Sequence, residues 1–167
     1  MSNINICAQD AYLALYPQSK KPVGVNWPDE GTSQEQALAT NGNLGLLLGP
    51  KSDVMDVDLD CREAKGLAEL ILPKPFAQFD RGTPDSGHYL YKAITCGPTK
   101  KFSGNGPKSA LLELRGDGFQ TMIPPFIHPD GNRLNFTDIN QDAPEVKYAN
   151  LLKSVSCLAA CSEVAQL

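Results

Sequence analysis

Acidic and apolar residues alternate through Val54-Met-Asp56-Val-Asp58-Leu-Asp60, and no other stretch of the chain limits the fold so tightly. A strand puts residues i and i+2 on one face. Met55, Val57 and Leu59 are therefore expected to face a core, with Asp56 and Asp58 projecting together from the other side; Asp60 joins them if the strand runs that far. Two carboxylates this close repel, and one pKa rises unless a cation neutralises the pair. The stretch reads either as a cradle of hard oxygens for a divalent ion or as a solvated edge strand whose acids guard against aggregation.

Two further strands carry chemistry-bearing side chains. In Ser86-Gly87-His88-Tyr-Leu-Tyr91, alternation sets Ser86, His88 and Leu90 on one face and Tyr89 and Tyr91 on the other. A hydroxyl and an imidazole at that spacing can both donate to phosphate oxygens, and Gly87 lets a ligand approach the backbone; a packed or surface histidine satisfies the same pattern. In Leu111-Leu-Glu113-Leu-Arg115, Glu113 and Arg115 share a face opposite Leu112 and Leu114. An acid so flanked needs a partner if buried, and Arg115 or a neighbouring lysine would serve. Asp117, in Gly-Asp-Gly, reads as a turn residue.

Around these strands the pattern is mixed. Apolar spacing predicts a helix over 6–16, closed by Pro17. Thr32-Ser-Gln-Glu35 has the form of a capping box for a short helix. Leu44–Leu48 reads as a buried strand, Cys61–Leu72 as a helix, and Phe79-Asp80-Arg81 as the end of a short strand. Residues 99–108, rich in Gly, Pro and Lys, read as a mobile loop. Ala110–Arg115 and Phe119–Ile123 are expected to form a hairpin across Gly116-Asp117-Gly118. Arg133–Thr137 reads as a last strand, with helix from Glu145 onward. Strands and helices alternate without a strict βαβ repeat, which points to an α+β or mixed α/β fold.

Length and composition narrow the class. A chain of 167 residues suits one domain. Fifteen basic against nineteen acidic residues leave a net charge of −4, which excludes broad nonspecific coating of nucleic acid. No apolar run approaches the ~20 residues of a membrane span, and the N-terminus lacks a signal-peptide pattern. Cys7, Cys61, Cys96, Cys157 and Cys161 are odd in number and irregularly spaced, as in a reducing cytoplasm. Cys157 and Cys161 lie one helical turn apart and read as two buried thiols, with half of a zinc site as the alternative.

From Asp58 to His88 is thirty residues, and from His88 to Glu113 twenty-five. This ordered set resembles the catalytic core of the archaeo-eukaryotic primase superfamily, and within it the bifunctional primase-polymerase (prim-pol) N-terminal domain of plasmid, phage and virus replication proteins. Lys20-Lys21-Pro22 with Trp27, Asn43–Gly49, Arg81-Gly-Thr-Pro-Asp-Ser-Gly-His88 and Pro124-Pro125-Phe-Ile-His128-Pro-Asp-Gly131 are similar to further segments of that family. The resemblance is strongest over 11–136. It departs in the single glycine before His88, in Phe126 where the family has serine, and in Glu113 where aspartate is commoner.

The resemblance implies a prim-pol fold over 1–167, with an RRM-like half packed on a smaller N-terminal α/β half, the active site between them and a C-terminal helical segment over 143–167. It implies that Asp56, Asp58 and Glu113 bind two divalent ions, Mg²⁺ or Mn²⁺. Ser86, Gly87 and His88 would hold a nucleoside triphosphate, with Arg81 adding a charge and Lys20 or Lys21 lining the pocket; His128 reads as structural and Trp27 as core. The implied activity is templated nucleotidyl transfer from NTP or dNTP to a primer 3′-hydroxyl on single-stranded DNA, in the cytoplasm of a bacterium, archaeon or virus-infected cell. A helicase or helical priming domain is the expected partner. Two other classes stand beside it: a nucleotide- or partner-binding replication module with weak or no turnover, and a metal-dependent nuclease.

Overall fold

The structure, a computed structural model, describes Ile6, residues 10–105 and residues 110–167. Along the chain run β1 (Tyr12–Leu15), α1 (Gln34–Leu38), β2 (Asn43–Leu47), β3 (Val54–Leu59), α2 (Arg62–Ile71), β4 (Ala77–Asp80) and β5 (Gly87–Thr95). They are followed by β6 (Lys100–Ser103), β7 (Ala110–Arg115), β8 (Gln120–Met122), β9 (Asn135–Ile139), β10 (Val146–Lys147) and α3 (Tyr148–Ala165). The fold is α+β.

Two sheets divide the strands. The larger runs β6-β7-β3-β5-β4-β9, with β10 alongside β5, and the smaller runs β1-β2-β8. The acidic strand β3 is central, antiparallel to both β5 and β7. This removes the edge-strand alternative. Met55, Val57 and Leu59 point into a core shared with Ala64 and Ala68 of α2 and with Leu151, Val155 and Leu158 of α3. A second core lies on the opposite side of the large sheet. There Leu90, Ala77 and Phe79 meet the small sheet through Leu13, Leu15, Leu44 and Leu46. Trp27 packs half-buried against this second core.

The chain passes from one sheet to the other three times, through 48–53, 116–119 and 123–134. The first two crossings touch: the Leu48 N–H donates to the Phe119 carbonyl at 2.8 Å. Gly49 has φ +90°, and a Cβ there would stand 2.7 Å from the Asp117 Cα. Only glycine suits that position. This geometry corrects the expected hairpin. β7 stays in the large sheet and β8 leaves it to pair with β2, so Gly116-Asp117-Gly118 is a crossing between sheets.

Other local expectations shift for identifiable reasons. The expected helix over 6–16 is instead the strand β1 in its last part; residues 7–9 lie outside the described residues. A short, continuously apolar run fits either state, and pairing of Tyr12–Leu15 with Leu46–Asn43 decides it. The capping box forms one residue later than expected, on Ser33 and Gln36. Thr32 is committed to backbone bonds with Tyr12 in both directions. Residues 100–103 of the expected mobile loop form β6, whose lysines are what an exposed edge strand carries; residues 106–109 of that loop lie outside the described residues. The strand expected over Arg133–Thr137 begins at Asn135 and runs to Ile139, and β10, beside β5 in the large sheet, precedes the C-terminal helix. Cys157 and Cys161 are exposed on α3, not buried, because Val155, Leu158 and Ala159 supply the helix's inner face.

Among the described residues, no helix is long and apolar enough to cross a membrane. The docking of α3 has a direct test. Leu158 is fully buried, so Leu158→Ala is expected to lower unfolding free energy by about 2–5 kcal/mol. Urea denaturation measures this, and a loss below about 1 kcal/mol would mean that α3 does not hold the sheet.

Candidate active site

Register assembles the site. Asp58 stands opposite His88 on β5 and opposite Glu113 on β7, while Asp56 stands opposite Leu90 and Arg115. Side chains directly opposite across antiparallel strands share a face. Asp56, Asp58, His88, Glu113 and Arg115 therefore gather on the side of the sheet away from α2 and α3. Asp56 is fully buried, and Asp58 and Glu113 are 5% and 6% exposed.

Cations meet these acids at close range. His88 Nδ1 lies 2.9 Å from Asp56 Oδ2, and Nε2 lies 3.5 Å from Asp58 Oδ1. The imidazole stacks on Phe79 with ring centroids 4.5 Å apart. Arg115 donates through Nε to Glu113 Oε2 at 2.5 Å and pairs through Nη2 with Asp58 Oδ2. Lys101 Nζ, from β6, lies 3.0 Å from Glu113 Oε1.

The electrostatics follow from burial and these partners. Burial pushes the Asp56 carboxyl up, but His88, Arg115 and the nearby Thr121 side chain outweigh it and hold the pKa below the usual range. Burial disfavours the His88 imidazolium, yet Asp58 and Asp56 raise its pKa above the ordinary value. Arg115 is likewise driven up, the carboxylates of Asp58 and Asp56 overcoming burial. Asp60, desolvated and beside Asp58, is pushed up to about 6.

A cleft of about 240 Å³ opens over this face. The large sheet contributes His88, Lys101, Glu113 and Arg115, and β8 of the small sheet contributes Gln120, Thr121 and Met122. The site thus lies between the two sheets. Lys20 also lines the cleft. So does His128, whose backbone also bonds to Asn132 and Gly131 within its own turn.

The remaining candidates divide. Ser86 is buried, its Oγ 2.7 Å from Thr83 Oγ1 and 3.3 Å from Arg81 Nε. Arg81 also pairs with Asp130 at 2.5 Å. Gly87 is turned away from His88: a Cβ there would approach Lys65, and Gly87 lines a separate groove with Lys65, Glu69 and Asp80. Sequence reasoning missed Lys101, Phe119 and Thr121, which topology alone brings to the cleft. It met Arg115 only as a partner for Glu113.

Among the described residues no group of three or more His, Cys, Asp and Glu side chains is arranged to hold a metal ion, but the donor chemistry of the three acids is that of a hard divalent cation's ligands. Among the described residues Asp56 Oδ1 is buried without a hydrogen-bond partner, which is costly for a charged acceptor unless something binds it. Asp58 and Glu113 add carboxylate oxygens, the ligands that Mg²⁺ and Mn²⁺ take.

The fold is thus α+β, with buried carboxylates on the sheet face beneath a cleft between its two sheets. The model of the family Prim-Pol, bifunctional DNA primase/polymerase, N-terminal, matches residues 8–147, and the chain belongs to that family. Membership supports nucleotidyl transfer of the primase/polymerase kind on DNA and nucleotide substrates, in a family that is generally metal-dependent. No curated protein matches the chain.

The buried ion pairs predict a non-additive response. Arg115→Met leaves Asp58 and Glu113 short of a cation and is expected to destabilise by about 3–5 kcal/mol. In an Asp58→Asn, Glu113→Gln background the same change should cost far less. Chemical denaturation of the four proteins of this cycle measures the difference; equal losses in both backgrounds would show that Arg115 acts through packing alone.

Proposed function

We propose that this protein is a DNA-dependent primase-polymerase that joins NTPs or dNTPs to a primer 3′-hydroxyl on a single-stranded template during plasmid, phage or virus replication. The observation that carries this reading is the placement of Asp56, Asp58 and Glu113, from two neighbouring strands, on the one sheet face whose Glu113, His88 and Arg115 line the cleft, in a Prim-Pol family member.

Asp56, Asp58 and Glu113 would hold two divalent ions. Bound there, Mg²⁺ or Mn²⁺ supplies activation of the attacking hydroxyl and charge neutralisation at the α-phosphate. The chain's own residues do the positioning. His88 orients both aspartates through its two ring nitrogens and is itself fixed by Phe79. Arg115 orients Asp58 and Glu113. Ser86 and Arg81, bonded to each other, stand beside His88 as the nucleotide-binding edge. Catalysis by such a site is orientation plus fixed charge at the reacting phosphorus.

The same ion pairs favour a second reading. Arg115, His88 and Lys101 already meet the acids, as they would in a module that holds nucleotides without turnover.

Primer extension on a labelled template with Mg²⁺ or Mn²⁺ separates the two. The wild type is expected to extend, and Asp58→Asn to lose about a hundredfold or more of the rate, the scale of a lost charge contact at the transition state. Nucleotide binding that needs no metal, with no synthesis, would establish the binding module instead. Degradation of the strand without added nucleotide would mark a nuclease.

A further inference from the structure

Gly87 belongs to the segment expected to meet a nucleotide, yet it faces away from the cleft. What it faces is Lys65. A Cβ at residue 87 would lie 3.7 Å from Lys65 Cε and 3.9 Å from its Cδ, so the lysine stem runs across the backbone at the start of β5. Lys65 belongs to α2, whose Ala64 and Ala68 pack on the side of the large sheet opposite the acids.

The ammonium reaches past that strand to the turn between β4 and β5. It donates to Asp80 Oδ2 at 2.8 Å and to the Thr83 carbonyl at 2.7 Å. Glu69 stands one helical turn further along α2, but lysine before glutamate is the weaker order for such a pair, and the ammonium crosses to Asp80 instead. Asp80 uses its other oxygen, Oδ1, to accept the Gly82 N–H at 2.8 Å. One lysine and one carboxylate thus hold the turn's backbone at Gly82 and at Thr83. The Lys65 and Asp80 side chains are only 26% and 18% exposed, so salt screens this pair less than one on the open surface.

From Thr83 the order passes to the cleft side. Thr83 Oγ1 meets Ser86 Oγ, and Ser86 Oγ accepts from Arg81 Nε. The same turn joins Phe79, which stacks on His88, to His88 itself. Gly82, Pro84 and Asp85 are exposed, so packing contributes little to fixing the middle of the turn. The tie to α2 supplies what packing does not.

We infer that Lys65 is a positioning residue: from behind the sheet it fixes the turn over 81–86, and through it the Arg81 and Ser86 side chains beside His88. Lys65 lines the groove behind the sheet, while His88 lines the cleft. The inference rests on the proposed function for the turn's part in nucleotide binding; the tie between α2 and the turn does not.

Lys65→Met keeps the stem and removes the ammonium, and two measurements read the result. By amide hydrogen exchange, the turn amides over 82–86 are expected to exchange about tenfold faster, the scale of one lost hydrogen bond to a charged group. Amides of α2 and β5 should keep their rates. By calorimetry in Mg²⁺ buffer, dTTP affinity is expected to fall about tenfold. In primer extension that loss should appear in KM for dTTP, with kcat within about twofold of wild type. Asp80→Asn should reproduce these effects, and the double variant should lose no more than Lys65→Met alone. Asp80→Asn carries the test where Lys65→Met fails to fold.

Turn amides that keep their wild-type rates overturn the inference, as does faster exchange spread evenly over the protein. Wild-type dTTP affinity in both variants overturns it too, and leaves the polymerase reading standing. A wild type that binds dTTP in a Lys65-dependent way without extending a primer upholds the positioning role and removes the polymerase. A wild type that binds no dTTP removes both, and that failure shows in the wild type, not in the variants.

Discussion

Asp58 stands between His88 on one neighbouring strand and Glu113 on the other, and slipping either pairing by one residue would turn an acid toward the helix-packed core. The rest of the site depends on that register. Apolar residues on the opposite face enforce it. Met55, Val57 and Leu59 of β3, Leu112 and Leu114 of β7, and Tyr89 and Tyr91 of β5 all pack on the α2–α3 side. A hydrophobic core on one face thus specifies which polar groups meet on the other. The same pairing sets a cation beside each acid, so the carboxylates are buried without being left as isolated charges.

The cleft exists because the chain changes sheets. β3 follows β2 directly in sequence and β8 follows β7, yet each pair is split between the two sheets. These two crossings meet at Gly49 and Asp117, where no side chain could fit at residue 49. That close contact brings Thr121 of the small sheet alongside Asp56 of the large one, near enough to help hold its carboxyl ionised. A glycine remote from the carboxylates thereby fixes how the two walls face each other.

These facts explain what could be read from the sequence. β3 was legible to the residue, because strict alternation over 54–59 has one strand solution, and α2 and the start of β5 were nearly so. That Asp56 shares a face with Asp58, and Glu113 with Arg115, was legible for the same reason, period two within a strand; their meeting with His88 comes from the register between strands. What failed needed long-range information. Tyr12–Leu15 is apolar enough for either state, and only β2 makes it a strand. Gly116-Asp117-Gly118 has the composition of a hairpin turn, and nothing local shows that the next strand belongs to another sheet. Lys101 lay in a segment whose lysines and glycines signal a loop, and its place opposite Glu113 comes from tertiary pairing alone. His128 sits in a proline-rich stretch that looks like scaffold, and its place on the cleft beside Arg81 comes from tertiary packing alone.

The C-terminal helix shows where the limits of a family pattern and of a hydrophobic core differ. The family match ends at residue 147, one residue before α3 begins. Yet Leu151, Val155 and Leu158 of that helix are fully buried against the face of the sheet that carries Met55, Val57 and Leu59. Without α3, part of that apolar face would meet water, and the burial that keeps the acids on the cleft side would weaken. Among the described residues, no hydrogen bond or ion pair joins the helix to Asp56, Asp58, His88, Glu113 or Arg115. Its contribution is to make one side of β3 the dry side, and in a strand of period two that determines where the carboxylates point.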